Sequence, residues 1–414
     1  MTLDIDSRMA VAGISRSPSF ALLLTSGVLG VFAFFQIYSI QAVLPLLMRD
    51  LHASVVQVGN AVGAGVLAVA LVSPFVGMLS DAVGRKPLIV GAIVLAAVPT
   101  ALMSMAGTIH VLTTLRFLQG LGVPGITVVT IAYIGEEFHG RDVNRLVSAY
   151  VSGSVLGGFL GRFLFGYMCV WMPWRSAFLV MAGLNLAGAV LVWRTLPASR
   201  NFVANPQLTA ALRILRRHMR NKALLSACAL GMCVLFSLVG CFTYVSLHLA
   251  AEPFRFSSAQ LANVFAVYLL GVVVTPVTGK ILPRFGARKT ILAALGVSSC
   301  GLLLTLMPVA WGVVLALAVM SCGVFVTQSS TISFIAQHVP SGRSLASGLY
   351  YMAYYGGGFL GAWVCGLAYT RGAWHGTVIV LIAAQAIGLV IAWSLMHERR
   401  SHAPSFGPAT RSEG

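Results

Sequence analysis

Acidic side chains are scarce in this sequence, ten Asp and Glu in 414 residues. None lies in the middle of a long apolar run. Asp4, Asp6, Asp50, Asp81, Glu136, Glu137, Asp142, Glu252, Glu398 and Glu413 occupy connecting segments, tails or the ends of runs. This placement excludes a helix carrying paired carboxylates for acid–base hydrolysis, and the sequence has no HExxH to hold zinc. A P-loop motor is excluded because no GxxxxGK[ST] occurs. No Ser, His and Asp gather at a run end as a hydrolytic triad would require. The seven cysteines (Cys169, Cys228, Cys233, Cys241, Cys300, Cys322 and Cys365) are odd in number and form no CxxC. They read as small apolar residues rather than as metal ligands or redox pairs. The chain is therefore expected to be neither an enzyme nor the holder of a cofactor or metal.

Charge of either sign is rare: 9% of residues are charged and 58% are hydrophobic. A soluble domain carries about a quarter charged residues, so a polytopic membrane protein is expected. Twelve apolar runs of membrane-crossing length are predicted over 20–46, 56–80, 87–107, 109–134, 145–169, 174–195, 223–249, 259–282, 289–308, 310–336, 344–369 and 374–396. They are called spans 1 to 12 below. Pro74, Pro124 and Pro276 interrupt three of them, which a bundle tolerates because neighbouring helices re-satisfy freed backbone groups. The expected fold class is an all-α membrane protein of twelve transmembrane helices.

The net charge of +17 could suggest nucleic-acid binding, but its distribution points to topology. Of the 27 Lys and Arg, all but Arg49, Arg116, Arg162, Arg175, Arg255 and Arg371 fall in the N-terminal tail, the loops following even-numbered spans, or the C-terminal tail. That is the positive-inside pattern, and it places both termini in the cytoplasm. No nucleic-acid partner is expected. The first 18 residues contain Asp4 and Asp6 and lack a short apolar core with a cleavage site, so they are not expected to be a signal peptide.

The chain also repeats itself. GGFLG at 157–161 recurs at 357–361, and with the same offset Tyr150 meets Tyr350, Gly166 meets Gly366 and Trp174 meets Trp374. Further upstream, Gly77-x6-Gly84-x-Lys86 meets Gly279-x6-Gly286-x-Arg288. Duplication of a six-span unit explains both. The expected organisation is an N-terminal bundle over 1–195, a cytoplasmic linker over 196–222, a C-terminal bundle over 223–396 and a cytoplasmic tail over 397–414. In the linker, Arg213, Arg216, Arg217 and Arg220 have helical spacing. This fits either a short amphipathic helix on the anionic leaflet or a solvated connection. Two parallel halves with a substrate site between them at the midplane is an arrangement found among secondary transporters.

Three stretches carry possible mechanism. GMLSDAVGRKP, Gly77 to Pro87, suggests a tight turn at Gly77 and Gly84, with Arg85 and Lys86 facing the inner membrane surface and Asp81 pairing with a helix N-terminus or an arginine. RFLQGLG, Arg116 to Gly122, places a cation inside span 4, where it serves either coupling or the hydrogen bonding of neighbouring carbonyls. GSVLGGFLGR, Gly153 to Arg162, gives Gly153, Gly157 and Gly161 a GxxxG-type packing face. Arg162 either snorkels outward with Arg175 or supplies a cation near the outer mouth of a cavity.

The G-x3-D-x2-G-R-K pattern after span 2, repeated after span 8 with Pro283 in place of the Asp, resembles the signature of the major facilitator superfamily. RFLQGLG is similar to the motif of its proton-coupled members, in which the arginine is tied to proton transfer. GSVLGGFLGR resembles the antiporter motif, with Gly158 at the usual proline position and Arg162 at the last glycine. Together with Trp174-Arg175 and LYYMAYYGGGFLG at 349–361, the likeness extends to the YnfM-like permeases of the drug-efflux, twelve-span drug:proton antiporter branch. The resemblance implies two pseudo-symmetric six-helix bundles whose spans 1, 4, 7 and 10 line the cavity. The polar candidates for it are Gln36, Tyr38, Gln41, Gln119, Tyr244, Gln328 and Ser329, with Tyr351, Tyr354 and Tyr355 from span 11. Each serves either substrate contact or interhelical hydrogen bonding.

With no carboxylate inside the membrane, a cavity containing Arg116 and Arg162 favours neutral or anionic cargo. The expected function is export of a small organic molecule, a drug or a self-made metabolite such as a siderophore, from a bacterial inner membrane. Alternating access with protons as the coupling ion is expected, and the chain is expected to act as a monomer in the bilayer. Import of an organic anion is the alternative, and a non-transporting sensor a further one.

Overall fold

A computed structural model of the chain describes residues 20–139, 141–199, 216–339 and 343–394. The side chains of Met78, Asp81, Ala82, Arg343 and Ser344 fall outside the described set, as do most of the linker around Arg213 and the tail after residue 394. The described residues are helical almost throughout and include no strand.

Ten helices are long and apolar enough to cross a membrane, and a bent pair brings the number to eleven. The last of them, Arg343–Ser394, is two helices merged across Gly372 and Ala373, whose backbone is non-helical. Divided there, the described chain has the twelve spans expected. The bent pair is span 1, and it corrects the expectation of one unbroken run. Its helix Phe20–Phe35 stops, residues 36–38 turn, and Ser39–Asp50, a 3-10 segment Ser39–Val43 followed by Leu44–Asp50, continues at 49° to the first part. Span 8 contains a second irregular piece, the 3-10 segment Phe265–Leu269 between Ser258–Val264 and Leu270–Phe285.

The remaining spans are Val55–Val83, Arg85–Leu102 with a short 3-10 extension Met103–Met105, Ile109–Glu137, Arg141–Trp171, Trp174–Thr195, Lys222–Ala250, Ala287–Leu304 and Ala310–His338. Gly84 and Gly286 make the turns after spans 2 and 8 with φ of 97° and 78°, a left-handed region that favours glycine. Gly77 makes no turn, contrary to expectation. It lies inside the helix Val55–Val83 and touches nothing that a side chain would disturb. Two starts are fixed by capping boxes, Ser54 with Gln57 and Ser257 with Gln260.

The duplication is visible in the packing. Span 5 lies on span 1, and span 11 lies on span 7. A Cβ at Gly153, Gly157 or Gly161 would strike the backbone of Gly27, Val31 or Phe35 respectively. In the second half, Gly357 and Gly361 meet the backbone of Met232 and Phe236 in the same way. GGFLG is therefore a surface on which two helices approach backbone to backbone. Such close approach supplies van der Waals contact where lipid offers no hydrophobic drive between helices.

The loops after the even-numbered spans lie at one end of the bundle, called the basic end here. Contact between the six-helix halves is carried by spans 2 and 11 along their length, from Gly59 and Gly63 against Ala362 to Pro74 against Gly348. Spans 5 and 8 meet chiefly through Ser258–Val264 and Phe265–Leu269, towards the opposite end.

Candidate functional site

One face of span 5 shows how the halves separate. Asn144, Ser148, Val151, Val155, Gly158 and Arg162 share that face at helical spacing. Near the basic end Asn144, Ser148 and Val151 are exposed, whereas Arg162, about 16 to 27 Å further along at 1.5 Å per residue, is 1% exposed. Span 8 mirrors this. Tyr268 is buried, and Val272, one turn nearer the basic end, is 38% exposed. Spans 5 and 8 thus part from a closed contact around Arg162 into a cleft towards the basic end, while spans 2 and 11 keep the halves in contact.

The closed contact is built around the Arg162 guanidinium. Its Nε donates to Gln41 Oε1 at 2.8 Å and its Nη1 to the Gly158 carbonyl at 2.5 Å. Three rings surround it: Tyr38 at 4.7 Å from span 1, and Phe265 at 4.8 Å and Tyr268 at 4.4 Å from span 8. Each ring presents a negative π face to the cation, worth about 2 kcal/mol when water is excluded. Gln41 continues across the halves by donating Nε2 to Thr243 Oγ1 of span 7 at 2.9 Å. Nearby, Tyr167 donates to Asn263 Oδ1 at 3.1 Å. Arg162 therefore does not snorkel outward, because five residues from both halves enclose it.

Arg116 has different surroundings. It is 0% exposed and makes four hydrogen bonds. Its partners are the carbonyls of Gln36 at 2.9 Å, Ala61 at 3.4 Å and Ile37, together with Gln119 Oε1. The Gln36 and Ile37 carbonyls belong to the break in span 1, where the last carbonyls of Phe20–Phe35 lose their helical donors. The cation sits on the negative end of that helix dipole and holds the break in place.

This arrangement turns three expected cavity residues away from the cleft. Gln36 donates to the Met181 carbonyl of span 6 at 2.9 Å. Gln119 donates to Thr100 of span 3 at 2.5 Å as well as accepting from Arg116. The Tyr244 hydroxyl donates to the Ala362 carbonyl of span 11 and is 0% exposed. These polar groups lie within spans 1, 4 and 7, but their orientation depends on where the neighbouring helices end. By contrast Tyr38 and Gln41 belong to the closed contact itself.

Span 11 supplies an aromatic wall. Tyr350 stacks on Tyr354 at 5.8 Å and Tyr351 on Tyr355 at 6.2 Å, with Tyr354 edge-on to Tyr355 at 5.3 Å. Tyr354 and Tyr355 are close enough to Tyr38 for electrostatic interaction, which connects this wall to the Arg162 contact. Tyr351, Gln328 and Ser329 are half-buried. The hydroxyls of Tyr150 and Tyr350, equivalent positions in the duplicated halves, are buried without a hydrogen-bond partner.

At the basic end Arg85 does not face the membrane surface as expected. It is buried, and it donates to Glu136 through Nε at 2.9 Å and Nη2 at 2.5 Å, and to Ser80 through Nη1 at 2.5 Å. This bidentate pair ties the start of span 3 to the end of span 4. The pairing expected of Asp81 concerns a side chain outside the described set. Lys86 lies over the Trp193 ring at 5.3 Å. At the opposite end Asp50 accepts from Trp174 Nε1 at 3.1 Å, and Arg175 covers the Trp174 ring at 4.2 Å. Among the described residues no three His, Cys, Asp or Glu are placed to hold a metal ion.

Sequence reading missed Glu136 as the partner of Arg85, and Phe265, Tyr268 and Thr243 as partners of Arg162 and Gln41. The duplication carried the one signal, since it sets span 8 against span 5 as it sets span 2 against span 11.

Comparison with known proteins agrees with this architecture. Residues 27–362, and again 242–413, match the family described as Major Facilitator Superfamily. The inner membrane transport protein YnfM of Escherichia coli is 31% identical over 377 residues, covering 90% of this chain and 89% of that one. A chloramphenicol resistance protein of Acinetobacter baumannii is 25% identical over 301 residues, 71% of each chain. Among solved structures, the nucleoside transporter NupG superposes with a TM-score of 0.74 at 16% identity, covering 91% of this chain and all of that one, a likeness of fold.

Proposed function

Because the chain belongs to the major facilitator superfamily, we propose that it exports a small organic molecule across the bacterial inner membrane by alternating access and proton antiport. The cargo class is a drug or a self-made metabolite such as a siderophore, placing the chain in the drug-efflux branch. One observation supports this above the others: spans 5 and 8 part from each other towards the end bearing the basic loops. The positive-inside rule assigns that end to the cytoplasm, so the cleft stands ready to load cargo from inside. The name of the Acinetobacter relative, a resistance protein, points the same way.

Acidic residues in the described spans stand only at helix ends: Asp50, Asp81, Glu136, Glu137 and Asp142. Such a cleft receives neutral or anionic cargo rather than cations. The coupling proton is carried by Asp81, Glu136, Asp50, His248 or a protonatable group of the cargo. Arg162 favours a second reading, import of an organic anion. Accumulation of labelled chloramphenicol in cells with and without the protein separates them. Export predicts lower accumulation in cells that hold the protein, rising to the control level when an uncoupler collapses the proton gradient. Higher accumulation in cells that hold the protein sinks the export reading.

A further inference from the structure

Arg162 is a full positive charge removed from water, and among the described residues no carboxylate pairs with it. Burying an unpaired cation costs several kcal/mol even after the surroundings relax. Arg116 meets that cost with four acceptors, two of them at a helix terminus. Arg162 has only neutral neighbours: Gly158 O, Gln41 Oε1, three aromatic rings and the Tyr268 hydroxyl close beside it. Rings and neutral oxygens stabilise a cation less than an anion does, and none of these neighbours carries a charge to match it.

The segments that carry those rings are also distinctive. Tyr38 lies in the break of span 1, and Phe265 and Tyr268 lie in the 3-10 segment of span 8. Irregular backbone at membrane depth is tolerated where it is enclosed by protein or lines a site, and discontinuous helices mark substrate sites in transporters. The break of span 1 and a tightened 3-10 turn of span 8, from different halves, converge on one cation here.

We propose that Arg162 is an anion subsite, taking a carboxylate of the cargo, and that Tyr38, Phe265 and Tyr268 mask it while the site is empty. This deepens the export reading by naming the cargo's chemistry. A carboxylate reaching the apex of the cleft offers two oxygens in the fork geometry that a guanidinium matches. It displaces Phe265 and Tyr268, and the displaced rings belong to the other half. Loading therefore removes a contact that holds spans 5 and 8 together, which links the presence of anionic cargo to opening of the opposite end.

The test is binding to the purified full-length protein in lipid nanodiscs, with benzoate and phenylacetate as probes and benzamide and phenylacetamide as their neutral counterparts. The readout is the concentration of probe that produces half the maximal shift of the thermal unfolding midpoint. The acids are expected to shift the wild-type midpoint and the amides not. Arg162→Gln is expected to raise the half-effect concentration at least about thirtyfold, the loss typical of one partner of a buried charge pair. Arg162→Lys should retain a measurable part. Tyr268→Leu should lower the half-effect concentration, because it removes the mask and leaves the cation.

Equal shifts by acids and amides overturn the proposal, as does an unchanged response in Arg162→Gln. Weaker acid binding in Tyr268→Leu overturns the masking role. Should Arg162→Gln fail to give a monodisperse, cooperatively unfolding protein, Arg162→Lys and Tyr268→Leu decide the matter. Binding requires no transport, so acid binding together with higher accumulation of labelled benzoate in cells that hold the protein would leave this proposal standing while the export reading fell.

Discussion

Replacing Arg116 by Met removes a guanidinium of similar length and leaves a neutral side chain in its place. The bond to Ala61 O is long at 3.4 Å and contributes little. Three partners remain: Gln36 O, Ile37 O and Gln119 Oε1. Hydrogen bonds between membrane helices average about 0.6 kcal/mol and reach roughly 1.7, so three account for about 2–5 kcal/mol. The cation's interaction with the carbonyl end of Phe20–Phe35 adds up to about 2 kcal/mol in a buried setting. Against this, removing a buried charge recovers several kcal/mol of desolvation. We expect the balance to be destabilising by about 2 kcal/mol, because Met offers no donor to the Ile37 carbonyl at the break. The assay is reversible unfolding in mixed micelles, titrated with a denaturing detergent and followed by circular dichroism. Arg116→Lys, with three donors on one point charge, should fall between wild type and Met. An Arg116→Met protein as stable as wild type, or more so, would refute the argument that this cation holds the span 1 break.

Three further outcomes follow from other parts of the structure. Gly157→Leu, which drives a side chain into the Val31 backbone, should abolish transport and lower the yield of folded protein, whereas Gly91→Leu, with open space around it, should be silent in both assays. Arg85→Glu should destabilise the protein through repulsion with Glu136, and the double exchange Arg85→Glu with Glu136→Arg should recover roughly 1 kcal/mol by the same unfolding assay; a double variant no better than the single would show that the pair contributes nothing. Orientation is read from single cysteines in a cysteine-free protein: a membrane-impermeant maleimide should label Arg49→Cys in intact cells and Arg220→Cys only in everted vesicles, both positions being exposed, and the reverse pattern would invert the assigned topology.

How much of this was legible in the sequence depends on how far each feature reaches. Span positions follow from local composition, and all twelve can be read from runs of apolar residues. The duplication was legible because GGFLG must fit against a backbone, which only small residues permit, so the same letters recur in both halves. The break after Phe35 was not legible, because FAFFQIYSI contains no proline or glycine, and the carbonyls freed there find their donor in Arg116, some 80 residues away. For the same reason Gln36 and Gln119 read as cavity residues: a polar side chain at mid-span signals depth, and its direction is set by partners on spans 6 and 3. Arg162 stood out as a charge in an apolar run, but its three rings come from spans 1 and 8, and no local pattern announces them.

The glycine faces of spans 5 and 11 also bear on how the molecule moves. At Gly153, Gly157 and Gly161, and again at Gly357 and Gly361, the paired helices meet backbone to backbone, so no rotamer there can rearrange to let one helix slide on the other. Each pair behaves mechanically as one doubled rod. The compliant joints must then lie elsewhere, at the turn in residues 36–38, the 3-10 segment Phe265–Leu269 and the ring contacts on Arg162. Twelve helices reduce to a few stiff struts pivoting about a soft aromatic bearing, and substitutions in the bearing should change the rate of the cycle, while substitutions in the struts should decide whether the machine assembles at all.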